Sequence, residues 1–397
     1  MEYFNKFDDT YDSALKSRVI RYTYIIQTLD HWENTIREIT TDFIPSDSSV
    51  SVNLSQGSRR SAILKILNTD GSYTPSADSD FWFNRKFRVL CGIKAGSDIY
   101  LRSLGVFVTA SAESEDKTLA VKGVDKYGNL NGETGIGVCS QSVITDIASG
   151  GIYVAELIRQ TLMTDMGNGM PIDPVPPKID PVFEETALYR DITLDSGQYY
   201  GEIITQLADM YGANVFYDKD GALVFTRKTV SNIPSWYEHS GHIWEFDSSK
   251  MSGVTSNYDL SCVNAVTVTT DNTSGEIYSY TAENRNAESP VNVKAVGLHY
   301  GEQVPVYISL GDTSISTGEE KCKEYAEYLL FQNTLNGVTE SFDYPLIPHM
   351  DVDEVVGFDE KDYLVNQIDF DLGAMKMSLK LCNVNFLPNN HSMISYE

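Results

Sequence analysis

Cysteine is scarce: five residues in 397, at 91, 139, 262, 322 and 382, an odd number with no CxxC pair and no metal-ligand spacing. That excludes a disulfide framework and a zinc-finger type of site, and it fits folding in a reducing compartment. Histidine is nearly as scarce, with six residues. The one close pair, His239-Ser-Gly-His242, has i, i+3 spacing, but Pro234 and Gly241 argue against a helix and no HExxH pattern accompanies it. A loop or strand pair without a ligand role is expected there. No apolar run is long enough to span a bilayer. The opening residues, MEYFNKFDDTYDS, carry neither the basic nor the apolar segment of a secretory leader. The expectation is a protein made in the cytoplasm with no Sec-type route out and no membrane span.

Positive charge is also in short supply. Thirty Lys and Arg stand against 56 Asp and Glu, a formal net charge of -26. Such a surface repels phosphate, so no specific nucleic-acid binding is expected. The plain reading is solubility. A sharper one is that part of the charge lines a passage through which polyanions travel without sticking.

What is present is strand. Residues 18–26 (RVIRYTYII), 49–54 (SVSVNL), 87–93 (FRVLCGI), 105–109 (GVFVT) and 118–124 (TLAVKGV) alternate or carry β-branched and aromatic side chains, with turn residues between them. This is the pattern of an antiparallel barrel or sandwich. A change follows: Val154, Leu157, Ile158 and Leu162 fall at helical spacing and predict a helix over roughly 151–165. Next, residues 170–181 (MPIDPVPPKIDP) hold five prolines, which forbid helix, resist sheet and predict a stiff, extended connector. A second helix is predicted from Asp195, capped by it and by Gln198 reaching back, with Tyr200, Ile203, Ile204, Leu207 and Tyr211 as its apolar stripe and Gly212 after its end. Residues 246–397 return to strand around one helix, 318–336. Thr317-Gly-Glu-Glu320 reads as its capping box, Cys322, Ala326, Leu329 and Leu330 as its stripe, and Asn336-Gly337 as its stop. The order of strands in 104–124 resembles that in 363–384, as a repeat would, although two adjacent strands of any β protein can look alike.

Chemistry was sought and not found. In NVFYDKDGALVFTRK (214–228), Asp218 and Asp220 occupy positions 1 and 3 of a calcium loop, but position 5 is Ala222 and position 12 is Thr229. Asp218-Lys-Asp-Gly221 instead supplies what a hairpin turn requires. Asp351-Val-Asp-Glu354 and Asp359-Glu-Lys-Asp362 contain no histidine and read as solvated loops, with a weak divalent-ion site as the alternative. There is no GxSxG elbow and no Walker A lysine, and Gly135-Ile-Gly137-Val-Cys-Ser140 is half of a dinucleotide fingerprint lacking its third glycine. The expectation is no catalytic, cofactor-binding or metal-binding residues and no enzyme.

Three stretches carry a likeness. They are FWFNRKFRVLCGIK (81–94) with 104–109 and 119–128, then IITQLADMYGANVFYDKDGALV (203–224), then YAEYLL (325–330) with DYPLIP (343–348) and the strands through Val384. In this order they resemble the baseplate hub proteins of bacteriophage tails and related particles, a family shared with the N-terminal part of tail-associated lysins and the hub half of type VI secretion spike proteins. The resemblance implies an α+β, mainly β fold with two tube-like antiparallel β-barrel domains, 1–140 and 246–397, flanking a small α+β unit, 141–245. It implies a homotrimer whose six similar barrels adapt a six-fold tail tube to a three-fold spike. Implied partners are the tail tube protein, the spike or tail-tip protein, other baseplate proteins and the tape measure protein, in the virion tail baseplate. The alternatives are a tail-associated cell-wall hydrolase and a carbohydrate- or receptor-binding tail-tip module. Tail-associated lysins carry their hydrolase as an added domain after the hub, whereas this chain stops at Glu397, just past the hub-like strands.

Overall fold

The computed structural model describes residues 3–4, 9–54, 57–134, 137–139, 141–145, 151–167, 169–188, 191–211, 213–227, 244–259, 262–270, 277–299, 304–306, 315–335, 337–359 and 361–388. Most strands join one sheet. Its antiparallel path runs through Ser252–Tyr258, Val338–Pro345, Lys376–Asn383, Lys361–Asp371, Phe43–Asn53, Arg60–Leu67, Thr118–Asp125, Asp98–Glu115, Lys86–Ala95, Tyr22–Leu29 and Thr35–Ile39, in that order. Period-two patterning builds it. In Arg60–Leu67 every second residue, Arg60, Ala62, Leu64 and Ile66, is buried, and in Thr118–Asp125 Leu119, Val121, Gly123 and Asp125 alternate inward in the same way.

The centre of the path joins the two β-rich regions. Ile368 pairs with Val52 and Phe370 with Val50, so a strand from the last third of the chain lies beside one from the first. A single core follows the sheet across this seam. It includes Val50, Leu64, Phe87 and Val121 from one side and Phe342, Ile368, Phe370 and Leu379 from the other. Burying each such side chain contributes about 1.5–3 kcal/mol, which makes the seam a strong one. The fold is mainly β with some helices. Among the described residues the sheet has two open ends and no barrel closes. The two stretches read as a repeat are both long antiparallel hairpins, 98–125 and 361–383, docked on opposite sides of the 43–67 hairpin.

A second core, from Leu130 to Phe225, belongs to the segment between these regions. Helices Val154–Leu162 and Gly201–Tyr211 and hairpin 213–227 pack around it. Two expectations change here. The second helix begins at Gly201 rather than after Asp195: Gln198 Oε1 does accept from the Asp195 amide at 2.7 Å, but within a turn that precedes the helix. The start is set by packing, since a Cβ on Gly201 would lie 2.1 Å from the Leu130 carbonyl oxygen. Gly212 lies outside the described residues. The proline-rich segment, expected as a stiff, extended connector that resists sheet, is a packed strap that joins a sheet at one point. Ile172, Asp173, Ile179 and Asp180 are buried, and Lys178–Ile179 pairs in parallel with Val224 and Phe225. Its non-proline amides find partners: that of Asp180 donates to the Phe225 carbonyl at 2.9 Å. Pro181 opens a 3-10 turn, where a missing N–H costs nothing.

A third, small layer stands apart. Strands Ala265–Thr270, Ser279–Glu283 and Val304–Val306 form their own sheet, and Val266, Val268, Cys322, Ala326 and Leu330 join it to helix Ile315–Thr334. The helix starts before Thr317, which therefore does not cap it. The apolar stripe, rather than the polar box, anchors it. Its end near Gly337 matches the expectation, and a Cβ there would meet Cys262 Sγ at 2.5 Å.

Candidate functional site

The hairpin that began as a candidate calcium loop is where the three regions interlock. Its turn is closed by the Asp218 carboxylate, which accepts from the Asp220 and Ala222 amides at 3.0 and 2.9 Å, and by Gly221 at φ +88°. Gly221 is buried. A Cβ on Gly221 would lie 3.0 Å from Val106 Cβ and 3.1 Å from Glu33 Oε2. The Lys219 carbonyl accepts from Ser103 Oγ at 2.7 Å, and Lys219 Nζ donates to the His349 carbonyl at 3.4 Å. The turn thus touches the first β region on one side and the last on the other. The expected turn is confirmed.

Around it lie two buried ionic clusters. In the first, Lys126 Nζ contacts Glu33 Oε1 at 2.5 Å and Asp173 Oδ1 at 2.8 Å, and Lys86 Nζ reaches the same Glu33 oxygen at 3.2 Å. Tyr217 donates to Asp173 Oδ2 at 2.8 Å. Burial, reinforced by the neighbouring Lys126 charge, lowers the Lys86 pKa. In the second, Arg60 Nη2 binds both oxygens of Asp351, at 2.6 and 2.5 Å, while its backbone amide donates to Asp125 Oδ2 at 3.0 Å. Burial alone would raise Asp351, but the Arg60 guanidinium outweighs it and holds the carboxyl below the usual range. Among the described residues Glu354 has no such ion-pair partner. Burial, opposed by Lys219 and reinforced by Asp351, pushes it up to about 8, and it accepts only a long 3.2 Å bond from the Asp351 amide. Burial likewise pushes Asp125 up to about 6. Arg59 lies with its guanidinium 3.6 Å from the Phe216 ring centroid, so the middle hairpin is gripped here too.

The expectation of a solvated loop at 351–354 is therefore corrected. Asp353 and Glu354 are buried, and Asp351 is held by Arg60. Asp359 and Asp362 are exposed, as read. His239 and His242 lie outside the described residues, as do Gly135 and Ile136. Among the described residues no group of three His, Cys, Asp or Glu side chains is placed to hold a metal ion, and no helix is long and apolar enough to cross a membrane. All five cysteines are buried. Sequence reasoning did not find Glu33, in the turn between strands 22–29 and 35–39, Lys86, at the start of strand 86–95, Lys126, just after strand 118–125, or Asp173, in the proline-rich strap; nothing local marks them as partners.

The outer surface offers other features. Strand 252–258 is exposed at every residue and forms one end of the main sheet. Strand 35–39 forms the other, with its first four residues exposed. Trp32 and Phe83 project from the same end of the sheet, since Leu29 pairs with Lys86.

The chain has the fold of bacteriophage tail proteins over most of its length. It superposes on the tail protein from Neisseria meningitidis MC58 with a TM-score of 0.54 at 11% identity, covering 92% of this chain and 98% of that one. On the 43 kDa tail protein of prophage MuSo2 from Shewanella oneidensis the TM-score is 0.51 at 13% identity, covering 92% and 100%. A chain of the Francisella PdpA–VgrG complex gives 0.49 at 8% identity, covering 97% of this chain and 62% of the other. Neither a protein-family model nor a curated protein matches the sequence.

Proposed function

We propose that this chain is a structural baseplate hub of a phage tail or tail-like particle: a homotrimeric adaptor that joins the tail tube to the central spike or tip and has no reaction of its own. The observation that carries the reading is the end-to-end match to two tail proteins, 98% and 100% of whose lengths are covered. In this reading residues 1–140 and 246–397 each supply a tube-like module, and 141–245 is the α+β unit wedged between them by the 218–221 turn. The two hairpins on either side of the 43–67 hairpin support a pair of related modules. Buried ion pairs suit such a role, because they fix the relative placement of parts more than they add stability. The partners are the tube, spike, other baseplate and tape measure proteins, the location is the virion tail, and the acidic surface lines a lumen through which DNA passes without binding.

Light scattering on the purified chain tests the reading. A mass of three chains, or assembly into rings, supports it. A stable monomer at high concentration that binds glycan, or that clears peptidoglycan in a zymogram, overturns it.

A further inference from the structure

The main sheet ends in a strand that half of a ladder holds. Ser252–Tyr258 pairs with Val338–Pro345 from Ser252 opposite Asp343 to Tyr258 opposite Val338, and its outer edge pairs with nothing among the described residues. Both of its faces are open as well, with Val254 54% and Tyr258 60% exposed. Free edges are normally guarded by charge, proline or brevity. This one, SGVTSNY, has seven residues, no charge and no proline, in a chain of which 22% is charged. At the far end of the same path, Thr35–Ile39 pairs, among the described residues, only with Tyr22–Leu29, and Ile36 is 53% exposed.

We propose that strand 252–258 of one copy adds to the outer edge of strand 35–39 of the next, extending the sheet from subunit to subunit. The occupant is a second copy for two reasons. One chain carries both open ends of a single sheet, so each copy offers what its neighbour needs. A chain of net charge -26 also repels its own kind, and an uncharged edge is where that repulsion is least. The acceptor is compatible in charge: it presents Arg37 and Glu38, of opposite sign, and Arg37 already turns aside to Asp80 at 3.2 Å. A contact of this head-to-tail kind closes into a ring when repeated with the right rotation, whereas two copies of strand 252–258 paired with each other would stop at a dimer. The inference rests on the trimeric reading above and names the surface that makes it.

The test is disulfide trapping on the full chain, with mass measured in parallel. Thr255→Cys is combined in turn with Thr35→Cys and Ile36→Cys, so that either register is sampled; the five native cysteines are buried. Under mild oxidation at least one pair should give covalent dimers and trimers on a non-reducing gel, and Thr255→Cys alone should give none. Ser256→Pro and Ser256→Lys, at an exposed position, should keep the native circular dichroism and raise the concentration needed for trimers about tenfold or more, the effect of roughly 1.4 kcal/mol at each interface. Wild-type trimers with no cross-link in either pair, or trimers unmoved by both Ser256 variants, overturn the edge pairing while leaving the trimeric hub intact. Dimers from Thr255→Cys alone overturn it in favour of self-pairing. A monomeric wild type overturns both.

Discussion

Glu354 sits beside a carboxylate that has already taken the nearest guanidinium. Its proton stays on in the folded chain up to about pH 8, against 4.5 for an ordinary glutamate. The folded state then binds more protons than the unfolded state between these values, so this residue's contribution to stability is full below pH 4.5 and is lost as the pH rises through 8. Glu354→Gln, which mimics the protonated form, should be close to neutral at pH 5 and progressively more stable than wild type toward pH 8.5. Melting curves of the two proteins that stay parallel across that range would contradict the assignment. Lys126→Met should behave differently, leaving Glu33 and Asp173 buried without their shared cation. A loss of about 3–5 kcal/mol is expected in urea unfolding, the usual cost of breaking a buried pair on one side. Little of this was legible in the sequence. Asp351 and Glu354 look like a solvated acidic run because Arg60, which changes their meaning, lies 291 positions from Asp351.

Hairpin 213–227 is an element whose local chemistry and global placement agree, which is why its turn could be read from four residues. Asp at the first position and Gly at the fourth are required by the turn itself, whatever surrounds it. What the sequence withheld is that Gly221 is buried against Val106 and Glu33. Gly221→Ala should therefore cost more than an exposed turn would. The left-handed backbone alone disfavours a side chain by about 1–2 kcal/mol, and the added methyl must also displace Val106. A loss of no more than about 1–2 kcal/mol by chemical unfolding, the cost of the backbone alone, would mean that Val106 does not resist the added methyl. Helices Val154–Leu162 and Gly201–Tyr211 show the same division. Their apolar stripes fixed their existence, but the start at Gly201 is dictated by the Leu130 backbone, a contact with no local signature. The prolines of 170–181 excluded helix correctly. They did not exclude burial, because a strap can satisfy its remaining amides through Phe225 and the side chains around it.

At the scale of the molecule, alternation and turn residues revealed a mainly β chain, and the order of its parts carried the resemblance to phage tail proteins whose fold it shares. The continuity of one sheet through both β regions was hidden, since strand pairing over hundreds of residues leaves no periodicity to read. Charge has its own consequence at this scale. Copies carrying -26 each repel over a distance set by ionic strength, about 30 Å at 0.01 M and 8 Å at 0.15 M. Assembly should accordingly tighten as salt is raised from 0.01 to 0.15 M, seen as a rise in weight-average mass at fixed concentration. A mass that falls over that interval would mean that attraction between opposite charges, rather than edge pairing and apolar contact, holds the copies together.

The seam at the middle of the sheet bears on synthesis. Asn53 meets Gln367 across it, 314 positions later in the chain. At ordinary elongation rates the ribosome needs roughly 15 to 60 s to bridge that gap. Through that interval the edge of strand 43–53 is finished but unmated, and for most of it the nascent chain already holds the strands of the first β region, which end at Asp125. The protein is thus most exposed to mispairing before it is complete, and a host chaperone that covers this edge would act on the growing chain rather than on the released one.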